Sequence, residues 1–214
     1  MSLLPEGLLH TLQSLAPSIP FALFLRHAER APIPPEDPYA DVELTLAGHE
    51  ASRALGHRLR TRLSWAAISP FLRCRRTAEA LEERPGLPGV EVDVRLGSPG
   101  PWVVDRTEGA RLFAELGTEG VVRAQLSGNR WPFIRTAEEG TRLLLSAALE
   151  RLDAGRGNGV CVSHDTVLMP AIARLTGERF TGEWLAPLDG FAVQRLAGHL
   201  RCIWRGECRE VGSW

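Results

Sequence analysis

Residues 21–32 read Phe-Ala-Leu-Phe-Leu-Arg-His-Ala-Glu-Arg-Ala-Pro, an apolar run that ends in Arg26-His27, with Arg30 following. An imidazole between fixed positive charges suits attack on an anionic centre such as phosphorus. The cations disfavour the imidazolium and so keep the ring neutral and nucleophilic. Planar guanidinium forks can each bond two oxygens of a phosphate dianion. Two later segments repeat the layout of an apolar run with a polar tip. Trp65-Ala-Ala-Ile68 leads into Ser69-Pro-Phe-Leu-Arg73, and Val160-Cys-Val162 leads into Ser163-His164-Asp165. His27 is therefore the candidate nucleophile, and Arg26, Arg30 and Arg73 are candidate phosphate-binding residues. His164 can donate to a non-bridging oxygen as charge builds. Asp165, as a protonated acid, can donate to the leaving oxygen.

These tips act together only if the elements that carry them are neighbours. Residues 46–63 carry a helical stripe at Ala51, Leu55, Leu59 and Leu63, with Thr45 as N-cap. A helix is predicted over 73–83, ending before Pro85, and a strand over 90–96 from the alternation of Val90, Val92, Val94 and Leu96. Short helices over 108–116 and 120–126 are separated by Gly117. Thr136-x-x-Glu139 is a capping box that opens a long helix to about residue 153. A further helix follows Asp165, for which His164 and Asp165 can also serve as an N-cap pair. Runs 191–196 and 200–204 read as a hairpin joined at Ala197-Gly198. Strands alternating with helices imply an α/β three-layer sandwich. Its central sheet is mainly parallel, helices cover both faces, and the hairpin is an antiparallel edge near the C-terminus. Ligands of such sheets bind beyond the carboxyl ends of the strands.

Composition narrows the chemistry. The 214 residues suit one domain spanning 1–214. A net charge of −1 supplies no field for nucleic acid. No apolar run reaches membrane-spanning length, and residues 1–20 read as a short helix, not a signal peptide. Every basic residue is Arg, which excludes Walker-type P-loop chemistry and Lys Schiff bases. Cys74, Cys161, Cys202 and Cys208 form no CxxC pair and no zinc-ligand spacing, so reduced thiols in a cytoplasmic protein are expected. No Cys-x5-Arg loop is present, which disfavours a cysteine phosphatase. Cys74, beside Arg73, is a candidate low-pKa thiol.

The motifs resemble a known family. Arg26-His27-Ala28-Glu29-Arg30-Ala31-Pro32 resembles the RHGxRxP motif of the histidine phosphatase superfamily, in its acid phosphatase branch, and His164-Asp165 resembles that branch's HD dipeptide. Ser69-Pro70-Phe71-Leu72-Arg73 with Thr77-Ala78 resembles the SPLxRxxxTA segment of the phosphoglycerate-mutase-like branch. Leu44-Thr45-x-x-Gly48 resembles the family's LTxxG, and the tail from Trp184 to Trp204 resembles the acid phosphatase ending.

The resemblance implies a phosphohistidine on His27, phosphoryl binding by Arg26, Arg30, Arg73 and His164, and proton donation by Asp165, with no cofactor or metal and an acid-leaning pH optimum. In the mutase-like branch a middle-region Glu donates the proton, which keeps Glu108, and also Glu29 and Asp105, as alternatives. Ala28 departs from the motif's Gly. Were residue 28 to need a positive φ, its methyl group would cost about 1 kcal/mol or more. Arg30 has Glu29 or Asp37 as alternative partners. Residues 86–136 are expected to form a variable lid, with Trp102 or Trp131 lining a substrate pocket.

The implied activity is a phosphatase acting on a phosphate monoester, whether a small sugar phosphate, a nucleotide or a phosphoprotein. The chain has no room for the large helical inserts of phytases. The alternatives are a phosphoglycerate-mutase-type phosphoryl transferase and a non-catalytic phospholigand-binding module.

Overall fold

The apolar run before Arg26-His27 forms strand β1 (Phe21–Arg26), buried up to its last residue. Six more strands join it: β2 (Trp65–Ile68), β3 (Val90–Val92), β4 (Gly159–Ser163), β5 (Gly190–Leu196), β6 (His199–Trp204) and β7 (Glu207–Val211). Their order across the sheet is β3-β2-β4-β1-β5-β6-β7. This computed structural model describes residues 3–34, 40–59, 62–81, 90–97, 100–181, 183–196 and 198–212.

β3, β2, β4 and β1 run parallel, while β5, β6 and β7 add antiparallel pairings. Helices α1 (Glu6–Gln13), α2 (Leu46–Leu59) and α3 (Leu72–Leu81) cover one face. They pack on Phe21, Leu23, Leu25, Ala66, Ile68, Val160 and Val162. Helices α5 (Ala137–Asp153) and α6 (Asp165–Thr176) cover the other face, over Ala22, Phe24, Trp65, Ala67 and Cys161. Successive residues of one strand thus enter opposite cores, which is why β1, β2 and β4 read as continuous apolar runs. Helix α4 (Arg106–Leu126) lies against α6. The result is the expected three-layer α/β sandwich.

Several local expectations hold. Gly48 N–H donates to Thr45 Oγ1 at 3.0 Å, as an N-cap requires, and the Thr136–Glu139 capping box is complete. Gly117 breaks α4 with φ 67° and ψ 166°, a backbone conformation open essentially to Gly alone. α3 is described as far as Leu81, so its predicted end near Pro85 lies outside the described residues, as does Ala197 in the hairpin.

Two expectations need correction. The strand over 90–96 stops at Val92, and Val94–Leu96 form a 3₁₀ turn. Asp93 causes the change: its carboxylate caps the Arg95 N–H and pairs with the Arg95 and Arg151 guanidinium groups. The C-terminal hairpin is also not the sheet edge, because β7 continues it as a third antiparallel strand.

Candidate active site

Register brings the three polar tips level. In β1 and β4, Arg26 lies opposite Ser163, and in β2 and β4, Ile68 lies opposite Val162. Past the strand ends, His27 N–H donates to the Ser163 carbonyl at 2.9 Å and Ser69 N–H to the Val162 carbonyl at 2.9 Å. Arg26 N–H donates to the Asp189 carbonyl on the β5 side at 3.0 Å. The backbone ladder therefore pins all three tips to one mouth. Arg26, His27, Arg30, Arg73, His164 and Asp165 all line a single cavity of about 620 Å³.

His27 is almost fully buried, and its Nδ1 lies 2.8 Å from the Ala28 carbonyl. A carbonyl only accepts, so Nδ1 carries the proton and Nε2 keeps its lone pair. Burial, with Arg26 and Arg73 nearby, pulls the His27 pKa down to about 4. The ring is thus neutral at any pH where the site would work.

His164 sits 5.5 Å from it, ring centre to ring centre. Its Nε2 lies 2.7 Å from Ser69 Oγ, and its Nδ1 lies a long 3.5 Å from Arg73 Nη2. Arg can only donate, so Nδ1 accepts and Nε2–H donates to Ser69. Burial and the neighbouring His27 and arginines hold the His164 pKa well below its ordinary value.

Arg73 is buried, and its guanidinium stacks 4.3 Å over the Phe71 ring. Its Nε and Nη1, with Nε of Arg26 and of Arg30, are buried without a hydrogen-bond partner among the described residues. Burial lowers the Arg30 and Arg73 pKa values, with nearby arginines adding to the effect. Cations crowded together with unmet donors call for an anion.

Arg26 is partly engaged, through Nη1 with the Leu185 carbonyl and through Nη2 with Asp165 Oδ2 at 3.0 Å. Asp165 also accepts from Trp184 Nε1–H at 2.7 Å on Oδ2 and from Thr166 N–H at 2.8 Å on Oδ1. Both of its oxygens therefore face donors, as a carboxylate's do. As an N-cap, the His164-Asp165 pair is asymmetric: His164 stands at the cap position but its side chain makes no capping bond.

Asp165 is the one carboxylate among the cavity's described lining residues. The alternative donors stand elsewhere. Glu29 accepts from Thr45 Oγ1, Asp105 caps α4, and Glu108 pairs with Arg111. Arg30 does not pair with Glu29, and Asp37 lies outside the described residues. Ala28 has no positive φ, so its methyl group carries no left-handed strain, and its N–H donates to Thr77 Oγ1 at 3.0 Å.

Cys74 requires a correction. It is fully buried, and burial pushes its thiol up to about 12, so it is no reactive thiolate. Trp102 and Trp131 do not line the cavity. Trp102 is buried with its Nε1–H on the Val167 carbonyl, and the aromatic wall is Phe71 and Phe113. Ser69, Thr77 and Trp184 also take part in the site, though no role was expected of them. The first two belong to the SPLxRxxxTA segment, which was a usable signal, whereas Trp184 opens the tail that resembles the acid phosphatase ending but lies in irregular chain, where nothing local marks its contact with Asp165.

Comparison with known proteins bears on the same span. The family model of the histidine phosphatase superfamily (branch 1) matches residues 22–99. That span takes in the Arg26–Pro32, Leu44–Gly48 and Ser69–Ala78 motifs and stops short of His164-Asp165. The resemblance to the superfamily is thus borne out, while the acid phosphatase likeness of His164-Asp165 and the tail lies outside the matched span. No curated protein matches the chain. Among solved structures, Bacillus stearothermophilus YhfR is 16% identical, covering 87% of this chain and 96% of its own, with a TM-score of 0.62. A mycobacterial glucosyl-3-phosphoglycerate phosphatase, in complex with inorganic phosphate, is 18% identical over 86% of this chain and 95% of its own, TM-score 0.56. A phosphoglycerate mutase from Bacillus anthracis is 16% identical over 91% and 92%, TM-score 0.55. At these identities the likeness is one of fold.

Proposed function

We propose that this chain is a phosphatase that hydrolyses a phosphate monoester through a phosphohistidine on His27. One observation carries the reading: the free Nε2 lone pair of His27 opens into the same cavity as the unmet N–H groups of Arg26, Arg30 and Arg73. The arginines bind the phosphoryl oxygens, and Nε2 attacks phosphorus in line as the bond to the leaving oxygen breaks. Asp165 gives its proton to that oxygen. A substrate arriving as the monoanion brings this proton, and its phosphoryl group draws Arg26 away from Oδ2. Water then attacks phosphorus, the N–P bond breaks, and the Asp165 carboxylate takes the water's proton.

His164 binds the phosphoryl group through its other tautomer. When the Ser69 hydroxyl donates to Nε2, Nδ1–H is freed for a phosphoryl oxygen. Trp184 is a positioning residue that fixes the Asp165 carboxyl. Within the span 86–136 expected as a lid, Val90–Val92 belong to the sheet as β3, and α4 serves as the lid and forms one wall of the cavity. No described helix is long and apolar enough to cross a membrane. The four free cysteines suit a cytoplasmic enzyme, and no group of three or more metal-ligating side chains gathers among the described residues. The reading needs no metal.

The test is a screen over a panel of phosphate monoesters, with and without EDTA, for wild type and His27→Ala. Turnover unaffected by EDTA and reduced by about 10³-fold or more in His27→Ala is expected. Activity abolished by EDTA, or kept in the variant, would sink the mechanism. Turnover that depends on a bisphosphate primer would point to the mutase reading, and phosphate binding without any turnover to a binding module.

A further inference from the structure

Beyond the phosphoryl end, the chemistry of the cavity changes. Ile33, Phe71, Val103, Ala110 and Phe113 form its wall there. Ala110 and Phe113 lie three residues apart on α4 and so share one face of that helix. The helix can lie close because Gly109 has no side chain: a Cβ there would fall 2.5 Å from Val103 Cγ1. Phe71 carries the apolar surface right up to the reacting groups, with its ring 5.3 Å from that of His164 and directly under Arg73.

Among the described residues, hydrogen-bonding partners are scarce on this side. Apart from the phosphoryl-binding residues and Asp165, the polar groups of the described lining are Arg106, Thr118 and Thr166, with no Asn, Gln or Glu. A polyhydroxylated leaving group brings several donors and acceptors, each costly to desolvate without a partner. Asp165 cannot serve them, since it is committed to the ester oxygen itself and its carboxyl also meets Trp184 and Thr166. A hydrocarbon leaving group meets no such cost and gains from burial against Phe113 and Val103.

We propose that the site takes phosphate monoesters of apolar alcohols, with the hydrocarbon lying against Phe71, Val103 and Phe113. The proposal rests on the phosphatase reading and names its substrate class.

The experiment compares kcat/KM for 2-phenylethyl phosphate, glycerol 1-phosphate and glucose 6-phosphate. All three are esters of primary alcohols, so binding and not leaving-group activation dominates the comparison. The apolar ester is expected to exceed the other two by about tenfold or more. Phe113→Ala should cut that ratio about tenfold, while Phe113→Leu, which keeps an apolar side chain, should preserve it to within about threefold. Equal or better use of either hydroxylated ester by the wild type overturns the substrate class and leaves the phosphatase reading intact. So does an unchanged ratio in Phe113→Ala. Absence of turnover with all three esters, in wild type as in His27→Ala, overturns the phosphatase reading and the substrate class with it.

Discussion

His27 owes its competence to two neighbours of different kinds. The Ala28 carbonyl fixes the tautomer, and burial among Arg26 and Arg73 fixes the charge state. With its pKa lowered to about 4, the protonated, inert form of His27 accumulates only below that pH. The acid limb of kcat/KM against pH should therefore have its midpoint near 4, not near the 6.5 of an ordinary histidine. A limb near 6.5 would mean that another residue is the nucleophile.

Trp184 makes a second residue-level prediction. Its N–H fixes Asp165, so Trp184→Phe should hurt esters that need a proton on the leaving oxygen more than those that do not. The ratio of kcat/KM for p-nitrophenyl phosphate over an alkyl phosphate should widen by about tenfold. A uniform fall for both esters would mean that Trp184 acts through packing alone.

At the scale of elements, helix α2 meets the His27 loop through Gly48. A Cβ on Gly48 would fall 2.1 Å from the Glu29 carbonyl oxygen, backbone against backbone. Thr45, one turn earlier, donates its N–H to that carbonyl and its hydroxyl to the Glu29 carboxylate. Gly48→Ala should therefore cost about 1–3 kcal/mol in unfolding experiments. It should also lower kcat/KM, because Glu29 is two residues from His27.

This contact gives the LTxxG pattern its physical sense. The strand tips were equally legible, because a strand covered on both faces and ending in charge has few other readings. The role of Trp184 was illegible, since its partner Asp165 is 19 residues away and no periodicity marks the chain between the end of α6 and Trp184. Strand β7 was hidden for another reason. Its residues are nearly all exposed, so no buried alternation signals a strand. Its two-residue turn, Arg205-Gly206, has both φ angles positive (48° and 89°), a geometry that usually announces itself as Asn-Gly or Asp-Gly. Arg205 adopts it while stacking 4.7 Å over Trp204 and pairing with Asp189, contacts that no local pattern foretells.

Across the whole molecule, the site is a standing electrostatic liability. Two buried histidines are held neutral and four arginines line one cavity. The unfolded chain would protonate both histidines near pH 6.5, whereas the folded chain resists, His27 down to about 4. Between those values the unfolded state binds more protons, so stability is fully present above about 6.5 and is lost as pH falls toward 4. Phosphate acts in the opposite direction by meeting the arginine N–H groups. At 100 times its Kd it should add about 2.7 kcal/mol, or about 5–10 °C in Tm for a chain of this size. Thermal unfolding from pH 7 to 4, with and without phosphate, checks both, and Arg30→Gln should shrink the phosphate shift.

The place of β1 in the sheet also has a consequence in time. Its two neighbours, β4 and β5, are made only at residues 159–163 and 190–196. At synthesis rates of about 5–20 residues per second, the Phe-Ala-Leu-Phe-Leu run waits on the order of ten seconds for its partners. During that interval a growing chain carries an apolar strand-forming segment unpaired, and a fragment ending before β4 holds His27 with nothing to set it in place. The reactive centre is assembled only once β4 and β5 have been made and have closed on either side of β1.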